Sequence, residues 1–130
     1  MIVDSSAIIA ILRNEPEANA LSTTLQKAST CRASAVTYVE SAIVTDANRD
    51  PVLSRRFDDL LRDVNMRLEP VTTRQAEIAR QAYRDFGKGR HKAGLNFGDC
   101  FAYALARDLD EPLLFKGSDF RHTDVEVADF

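Results

Sequence analysis

The N-terminal segment reads Met1-Ile2-Val3-Asp4-Ser5-Ser6-Ala7. Its apolar run ends at an aspartate, and Ser5 can cap a following helix whose apolar positions include Ile8 and Leu12. A short apolar strand that passes directly into a helix is typical of α/β proteins. We therefore expect Asp4 at the carboxyl end of a strand, which is where open α/β sheets bind ligands.

Strands and helices continue to alternate through the rest of the chain. Apolar periodicity predicts helices that begin near Glu15, Val36, Pro51, Thr73 and Asn96. Short apolar or β-branched runs predict strands at Thr30–Ser34, Leu68–Val71, Leu113–Phe115 and Val125–Ala128. No repeat or long linker divides the chain. We expect residues 1–130 to form one α/β domain, with a mainly parallel central sheet flanked by helices.

The composition is that of an ordinary globular protein, with 45% hydrophobic and 28% charged residues. A net charge of −3 argues mildly against a nucleic-acid partner, because domains that bind nucleic acids are usually basic. Apolar runs are far shorter than the about 20 residues of a membrane helix, and no basic segment marks a cleaved signal peptide. Two cysteines, Cys31 and Cys100, make no disulfide framework or zinc motif. We expect a protein of the reducing cytoplasm, without membrane association.

Three further acidic residues occupy positions that indicate a functional site. On a helical wheel, Glu40 lies among Val39 and Ile43, on the face that we predict to be buried. A buried carboxylate is usually bound to a metal or paired, and a salt bridge to an arginine is the alternative. Asp99 falls in the first turn of its helix, where the helix dipole alone could favour an acid. Asp119 follows the strand at Leu113–Phe115.

Asp4 and Asp119 both follow strands, so they can meet at one edge of a parallel sheet. The helical acids Glu40 and Asp99 can converge on the same edge, which would unite all four. Four carboxylates in one pocket would repel one another strongly unless a cation neutralises them. Mg²⁺ and Mn²⁺ prefer oxygen ligands of this kind. Supporting polar residues beside the acids are Ser5, Ser6, Asn96 (a helix cap) and Ser118.

The chain resembles the PIN-domain ribonucleases, in particular the VapC toxins of type II toxin–antitoxin operons. The resemblance rests on four segments: Met1–Ala7, Tyr38–Ala42, Asn96–Cys100 and Phe115–Phe120. It implies an α/β/α PIN-like fold with Asp4, Glu40, Asp99 and Asp119 as catalytic and metal-binding residues. For the fourth acid, Asp124 is the alternative to Asp119, because the two lie close together in sequence. The implied reaction is hydrolysis of RNA phosphodiester bonds by water that Mg²⁺ or Mn²⁺ activates.

The same resemblance implies protein partners. VapC toxins are held inactive by a VapB-type antitoxin, and a homodimer that forms a heterotetramer or larger complex with the antitoxin is implied as well. We expect the antitoxin to contact the helices near Ala7–Asn14 and Val36–Asn48, because their apolar content exceeds what a small sheet can cover.

A glycine-rich loop supplies the candidate RNA-binding residues Lys88, Arg90, His91 and Lys92. The segment from Arg84 to Lys92 contains four Lys or Arg residues and only one acid, Asp85, so it is strongly basic. Tyr83, Phe86 and Phe97 flank the loop and could stack on bases. The alternative is a solvated loop whose aromatic neighbours belong to the core.

Two other functions remain open from the residues. One is a non-catalytic RNA-binding domain with a degenerate site. The other is a phosphatase of the haloacid-dehalogenase type, which also begins with an aspartate after a strand. The second is disfavoured because Ser5-Ser6 follow Asp4 where those enzymes have Asp-x-Asp.

Overall fold

A four-stranded parallel sheet organises the computed structural model, which describes residues 1–130. The strands are β1 (Ile2–Val3), β2 (Arg32–Ser34), β3 (Arg67–Glu69) and β4 (Leu113–Leu114). The helices are α1 (Ser5–Leu12), α2 (Ala18–Lys27), α3 (Ala35–Asp46), α4 (Pro51–Asp63), α5 (Thr73–Phe86) and α6 (Phe97–Leu109), followed by a 3-10 turn at Asp119–His122. None of these helices is both long enough and apolar enough to cross a membrane.

The strand order β3-β2-β1-β4 puts the first strand inside the sheet. In β1, Ile2 is in register with Arg32 of β2 on one side and with Leu113 of β4 on the other. The later strands therefore lie on both sides of β1, with β2 and β3 on one side and β4 on the other, and the carboxyl ends of β1, β2 and β4 lie next to one another. Such a reversal of strand order is where parallel α/β sheets form their ligand crevices.

Two apolar cores cover the two faces of the sheet. Successive residues of a strand point to opposite faces, so Ile2 packs with α5 and α6 whereas Val3 packs with α1, α2 and α4. Leu113 and Leu114 of β4 divide between the cores in the same way. The expected α/β/α arrangement with a parallel central sheet is confirmed.

Two local expectations were wrong. Val125–Ala128 does not form a strand, because its only ladder contact is a single bridge between Leu113 and Val127. Ser5 does not cap α1, because it is already helical. The cap is Asp4, whose backbone is extended and whose side chain accepts a hydrogen bond from the Ser6 amide.

The predicted orientation of α3 was also wrong. Its buried residues are Thr37, Ser41 and Thr45, whereas Val39 is 51% exposed and Ile43 is 63% exposed. Short side chains let α3 pack closely against α1, α4 and α6. The Ser41 hydroxyl donates 2.8 Å to the Thr37 carbonyl oxygen, so burial does not leave this group without a partner.

Candidate active site

Asp4 lies buried at the carboxyl end of β1, with 2% of its surface exposed. Its Oδ2 accepts hydrogen bonds from the Ser6 amide at 3.0 Å and from Ser6 Oγ at 2.6 Å. Its Oδ1 is buried without any hydrogen-bond partner. Burial raises the pKa of Asp4, and the charge of Glu40 raises it further, whereas the bonds from Ser6 lower it. Hydrogen bonds thus hold one carboxylate oxygen of Asp4 in place, and the other oxygen has no partner.

Glu40 extends from α3 to the helices on either side of it. Its Oε1 accepts a hydrogen bond from Ser5 Oγ in α1 at 2.6 Å. Its carboxyl group also lies directly against the Cα of Gly98 in α6, where a Cβ atom would be 1.9 Å from Oε2. This half-buried side chain therefore joins α1, α3 and α6 at one point.

Asp99 is held in the first turn of α6 by reciprocal hydrogen bonds with Asn96. The Asn96 side chain accepts from the Asp99 amide at 2.9 Å, and Asp99 Oδ2 accepts from the Asn96 amide at 3.0 Å. The expected cap at Asn96 is confirmed. Burial raises the pKa of Asp99 to about 7, opposed by the Asn96 amide and reinforced by the charges of Asp4, Glu40 and Asp119. Asp4, Glu40 and Asp119 therefore all lie within electrostatic range of Asp99.

Ser6 connects Asp4 to the segment that carries Asp119. Besides donating to Asp4, Ser6 Oγ accepts a hydrogen bond from the Lys116 amide at 3.0 Å, just beyond β4. Asp119 begins the 3-10 turn and is exposed, as is Ser118, whose side chain does not cap that turn. The fourth acid is thus more solvent-accessible than Asp4.

Asp124, the alternative to Asp119, is engaged elsewhere. Its Oδ1 accepts a hydrogen bond from the Tyr103 hydroxyl at 2.6 Å, and its Oδ2 lies 3.6 Å from Arg107. The charge of Asp119 raises the pKa of Asp99, whereas the charge and hydrogen bond of Asp124 raise the pKa of Tyr103. The geometry therefore favours Asp119 as the fourth member of the group.

We call Asp4, Glu40, Asp99 and Asp119 the acidic cluster, and none of its members forms a salt bridge. At the opposite edge of the sheet, by contrast, Arg32 pairs with Glu69 at 2.8 Å and with Glu111 at 3.0 Å. The nearby Lys116 is paired with Glu15 and Glu17. The alternative interpretation of Glu40, a salt bridge to an arginine, is therefore wrong.

The acidic cluster fits a hard divalent cation in its donor chemistry. It offers only carboxylate oxygens, it has no counter-cation, and it contains the buried Asp4 Oδ1 that lacks a partner. No three acidic, histidine or cysteine side chains approach closely enough to form a ready-made metal site. Cys100, beside the cluster, is buried, and burial together with the Asp99 charge raises its pKa to about 11, which argues against a nucleophilic thiolate.

The glycine-rich loop before α6 divides its basic residues into two groups. Lys88, Arg90 and Lys92 are exposed and form no salt bridge, and the Arg90 guanidinium lies 5.3 Å from the centre of the Tyr83 ring. His91 instead turns inward. Its Nδ1 accepts a hydrogen bond from the Ala93 amide at 3.0 Å, and its ring packs edge-on against Phe86 at 5.3 Å. His91 shapes the loop, and the three cations face solvent.

An exposed apolar surface borders the acidic cluster. It consists of Val39, Ile43 and Val44 on α3 together with Phe97, which is 74% exposed, and we call it the α3 surface. A groove along it is lined by these residues and by Glu40. Sequence periodicity missed this surface by assigning Val39 and Ile43 to the core. It also missed the contact of Gly98 with Glu40, for which the only signal was a glycine within a predicted helix.

Solved structures with the same fold include nuclease toxins. The *Mycobacterium tuberculosis* VapC20, described as a toxin that cleaves the sarcin–ricin loop, aligns with a TM-score of 0.75 over 98% of this chain and 97% of that chain, at 15% identity. A toxin–antitoxin complex from *Klebsiella pneumoniae* aligns with a TM-score of 0.73, covering 98% of this chain and 95% of that one, at 16% identity. At these identities, the matches establish the fold alone.

Sequence comparison identifies the family. The model of the PIN domain matches residues 1–126. Ribonuclease VapC28 of *Mycobacterium tuberculosis* is 57% identical over 129 residues, covering 98% of this chain and 97% of that protein. Ribonuclease VapC42 of the same species is 46% identical over 129 residues, covering 98% of both chains. These matches confirm the resemblance seen in the four motif segments. On the strength of this identity over nearly its whole length, the chain belongs to the PIN-domain family, among the VapC ribonucleases.

Proposed function

We propose that this VapC ribonuclease is the toxin of a type II toxin–antitoxin module and that its hydrolysis of RNA phosphodiester bonds depends on Mg²⁺ or Mn²⁺. The observation that carries the proposal is the acidic cluster, in which no carboxylate has a basic partner and Asp4 Oδ1 is buried without a hydrogen bond. Such an arrangement is unfavourable until a cation binds. We propose the four acids as the ligands and catalytic residues.

The residues around the cluster hold the acids in position. Ser6 orients Asp4 through two hydrogen bonds, Ser5 orients Glu40, and the Asn96 amide orients Asp99. A bound divalent cation would lower the pKa of an attacking water and neutralise charge on the phosphoryl group and leaving oxygen. No residue of the chain is required as a nucleophile. We therefore expect products that carry 5′-phosphate and 3′-hydroxyl ends.

The test is cleavage of structured RNA with Mg²⁺ or Mn²⁺, repeated with a chelator, followed by analysis of the product ends. Asp4→Asn and Asp119→Asn are expected to abolish most cleavage in folded proteins. Asp124→Asn is the matched control, because Asp124 is bound by Tyr103 and lies near Arg107 instead. Products with 2′,3′-cyclic phosphate ends, or cleavage that survives the chelator, would contradict the proposal.

We propose that the exposed cations Lys88, Arg90 and Lys92 contact the RNA backbone. The support is their exposure, their lack of acidic partners and their position on the loop that leads directly into Asn96 and Asp99. Because phosphate contacts release counterions, RNA affinity should fall steeply as salt rises. The inward His91 contributes by shaping this loop.

The second candidate function is RNA binding without catalysis. The observation that favours it is the same basic loop, whose cations Lys88, Arg90 and Lys92 are exposed. The cleavage assay separates the two, since a binding domain would retain RNA affinity and show no metal-dependent turnover. A haloacid-dehalogenase-type phosphatase is not supported, because the family match is to the PIN domain.

Protein partners are proposed on the strength of the α3 surface. A VapB-type antitoxin, and a homodimer that forms a heterotetramer or larger complex with it, would remove these apolar side chains from water. Two solved structures of the same fold are described as a toxin–antitoxin complex from *Klebsiella pneumoniae* and as VapBC2 of *Rickettsia felis* bound to promoter DNA. Because Glu40 lines the groove, a partner bound there would also cover the acidic cluster.

A further inference from the structure

Gly98 occupies a position where the backbone does not require glycine. It lies buried in the first turn of α6, and its φ is outside the left-handed region, unlike those of Gly89, Gly94 and Gly117. Alanine is the better helix former at such a position. The reason for a glycine must therefore lie in what surrounds it.

The space beside Gly98 is filled by the Glu40 carboxyl group. A Cβ atom on residue 98 would lie 1.9 Å from Oε2, 2.5 Å from Cδ and 2.7 Å from Oε1 of Glu40. At Gly89 and Gly117, by contrast, no atom beyond the adjoining residues lies within 4 Å of the corresponding position. No other glycine of the chain has a carboxylate in the place of its missing side chain.

Glu40 is also held from the opposite side. Ser5 Oγ donates to Glu40 Oε1 at 2.6 Å, so the carboxyl group is clamped between Ser5 and the Cα of Gly98. A methyl group at residue 98 would push the carboxyl group away and break the bond from Ser5. Because Glu40 is only half-buried and flexible, this clash can be relieved by rotation toward solvent rather than by unfolding.

We propose that Gly98 is a positioning residue, whose missing side chain creates the space in which Ser5 holds the Glu40 carboxylate beside Asp99. The inference rests on the proposed metal-dependent function and adds to it the residue that sets the place of one ligand. Helix α6 thus supplies two functions in consecutive residues, space at Gly98 and a carboxylate at Asp99.

The experiment uses the full chain and Mn²⁺ as the probe. Binding is measured by calorimetry, and folding by thermal melting, for the wild type, Gly98→Ala, Glu40→Asp and the double variant. We expect Gly98→Ala to melt at or above the wild-type temperature and to bind Mn²⁺ about 10- to 100-fold more weakly, the range for groups that orient metal ligands. Aspartate is one methylene shorter, so Glu40→Asp should recover part of that loss in the double variant.

Two results would overturn the inference while leaving the proposed function intact. One is Mn²⁺ binding by Gly98→Ala within twofold of the wild type. The other is a double variant whose fold-loss in Mn²⁺ affinity equals the product of the two single fold-losses. A Gly98→Ala protein that unfolds and is not restored by Glu40→Asp overturns it as well. If the wild type itself fails to bind Mn²⁺, the proposed metal dependence is wrong and the inference falls with it.

Discussion

Replacing Asp99 by asparagine should stabilise the protein in the absence of metal, although it removes a proposed ligand. Asparagine keeps an oxygen that can accept the hydrogen bond from the Asn96 amide. It removes a carboxylate whose pKa is raised to about 7 by burial and by the charges of Asp4, Glu40 and Asp119. The folded state thus holds Asp99 under conditions in which ionisation is unfavourable.

The sign of the effect follows from proton linkage. Because the folded-state pKa is above the ordinary aspartate value of 3.8, the folded protein binds more protons between these two values than the unfolded chain does. This group therefore lowers wild-type stability as pH rises from about 4 to 7, and the full penalty applies above about 7. The asparagine variant has no such penalty, so its advantage should grow across that window.

The magnitude can be bounded from the same shift. Each pKa unit corresponds to about 1.4 kcal/mol, so the shift sets a ceiling of about 4 kcal/mol. Asp99 is partly solvent-exposed, and screening reduces this to about 1–2 kcal/mol. For a domain of this size, that is a rise in melting temperature of about 3–8 °C at pH 8.

The assay is thermal melting followed by circular dichroism at pH 5, 6, 7 and 8, first with a chelator and then with Mn²⁺. The metal should stabilise the wild type by about 2.7 kcal/mol at 100 times its dissociation constant, and the variant much less. Asp124→Asn is the control and should show no gain at pH 8, since Asp124 is paired. An Asp99→Asn advantage that is absent at pH 8, or equal at pH 5 and pH 8, would refute the reasoning.

Three further predictions concern other parts of the chain. Ser6→Ala should reduce cleavage and lower stability by about 1–3 kcal/mol, measured by RNase assay and denaturant titration, because Asp4 and the Lys116 amide both lose a partner. An unchanged cleavage rate would count against this role. Lys88→Ala combined with Lys92→Ala should weaken RNA binding in filter-binding titrations. The slope of log affinity against log salt concentration should fall by the amount expected for the loss of about two phosphate contacts. The exposed pair Arg55 and Arg56 on α4 provides the matched control, and equal slopes for both pairs would exclude the loop. Ile43→Asp should shift the chain toward monomer and weaken antitoxin capture, as measured by light scattering and co-purification, because Ile43 is the most exposed of the α3 residues in the α3 surface. Unaltered assembly would move the interface elsewhere.

Much of the fold could be predicted because local patterns determine it. Short apolar runs followed by capped helices predicted the parallel sheet, and the predicted helix starts near Pro51 and Thr73 agree with the structure. The prediction failed at Val125–Ala128, where an apolar run makes one bridge to Leu113 and no ladder. Apolar residues indicate that a segment is buried, but they do not indicate whether a neighbouring strand is available to pair with it.

The candidate site was predictable in its members but not in its geometry. Acids after strands could be assigned to one sheet edge, since parallel strands end together. Their roles as metal ligands stay a prediction. The choice between Asp119 and Asp124 needed the position of Tyr103, and the inward turn of His91 needed the position of Phe86. The first contact joins segments that are distant in sequence, and the second forms where the loop folds back on the preceding helix. The spacing of residues in the sequence predicts neither contact.

The sequence by itself determined the order of strands and helices, the four acids at their positions and the family to which they belong. Only the tertiary structure decided which face of α3 is buried. The periodicity of Val39 and Ile43 identifies an apolar stripe, but it does not say whether the stripe meets the sheet or a partner. The structure also showed that Gly98 makes room for Glu40. The physical reason is the same in both cases, because close packing depends on the atoms opposite a residue, and those come from elsewhere in the chain.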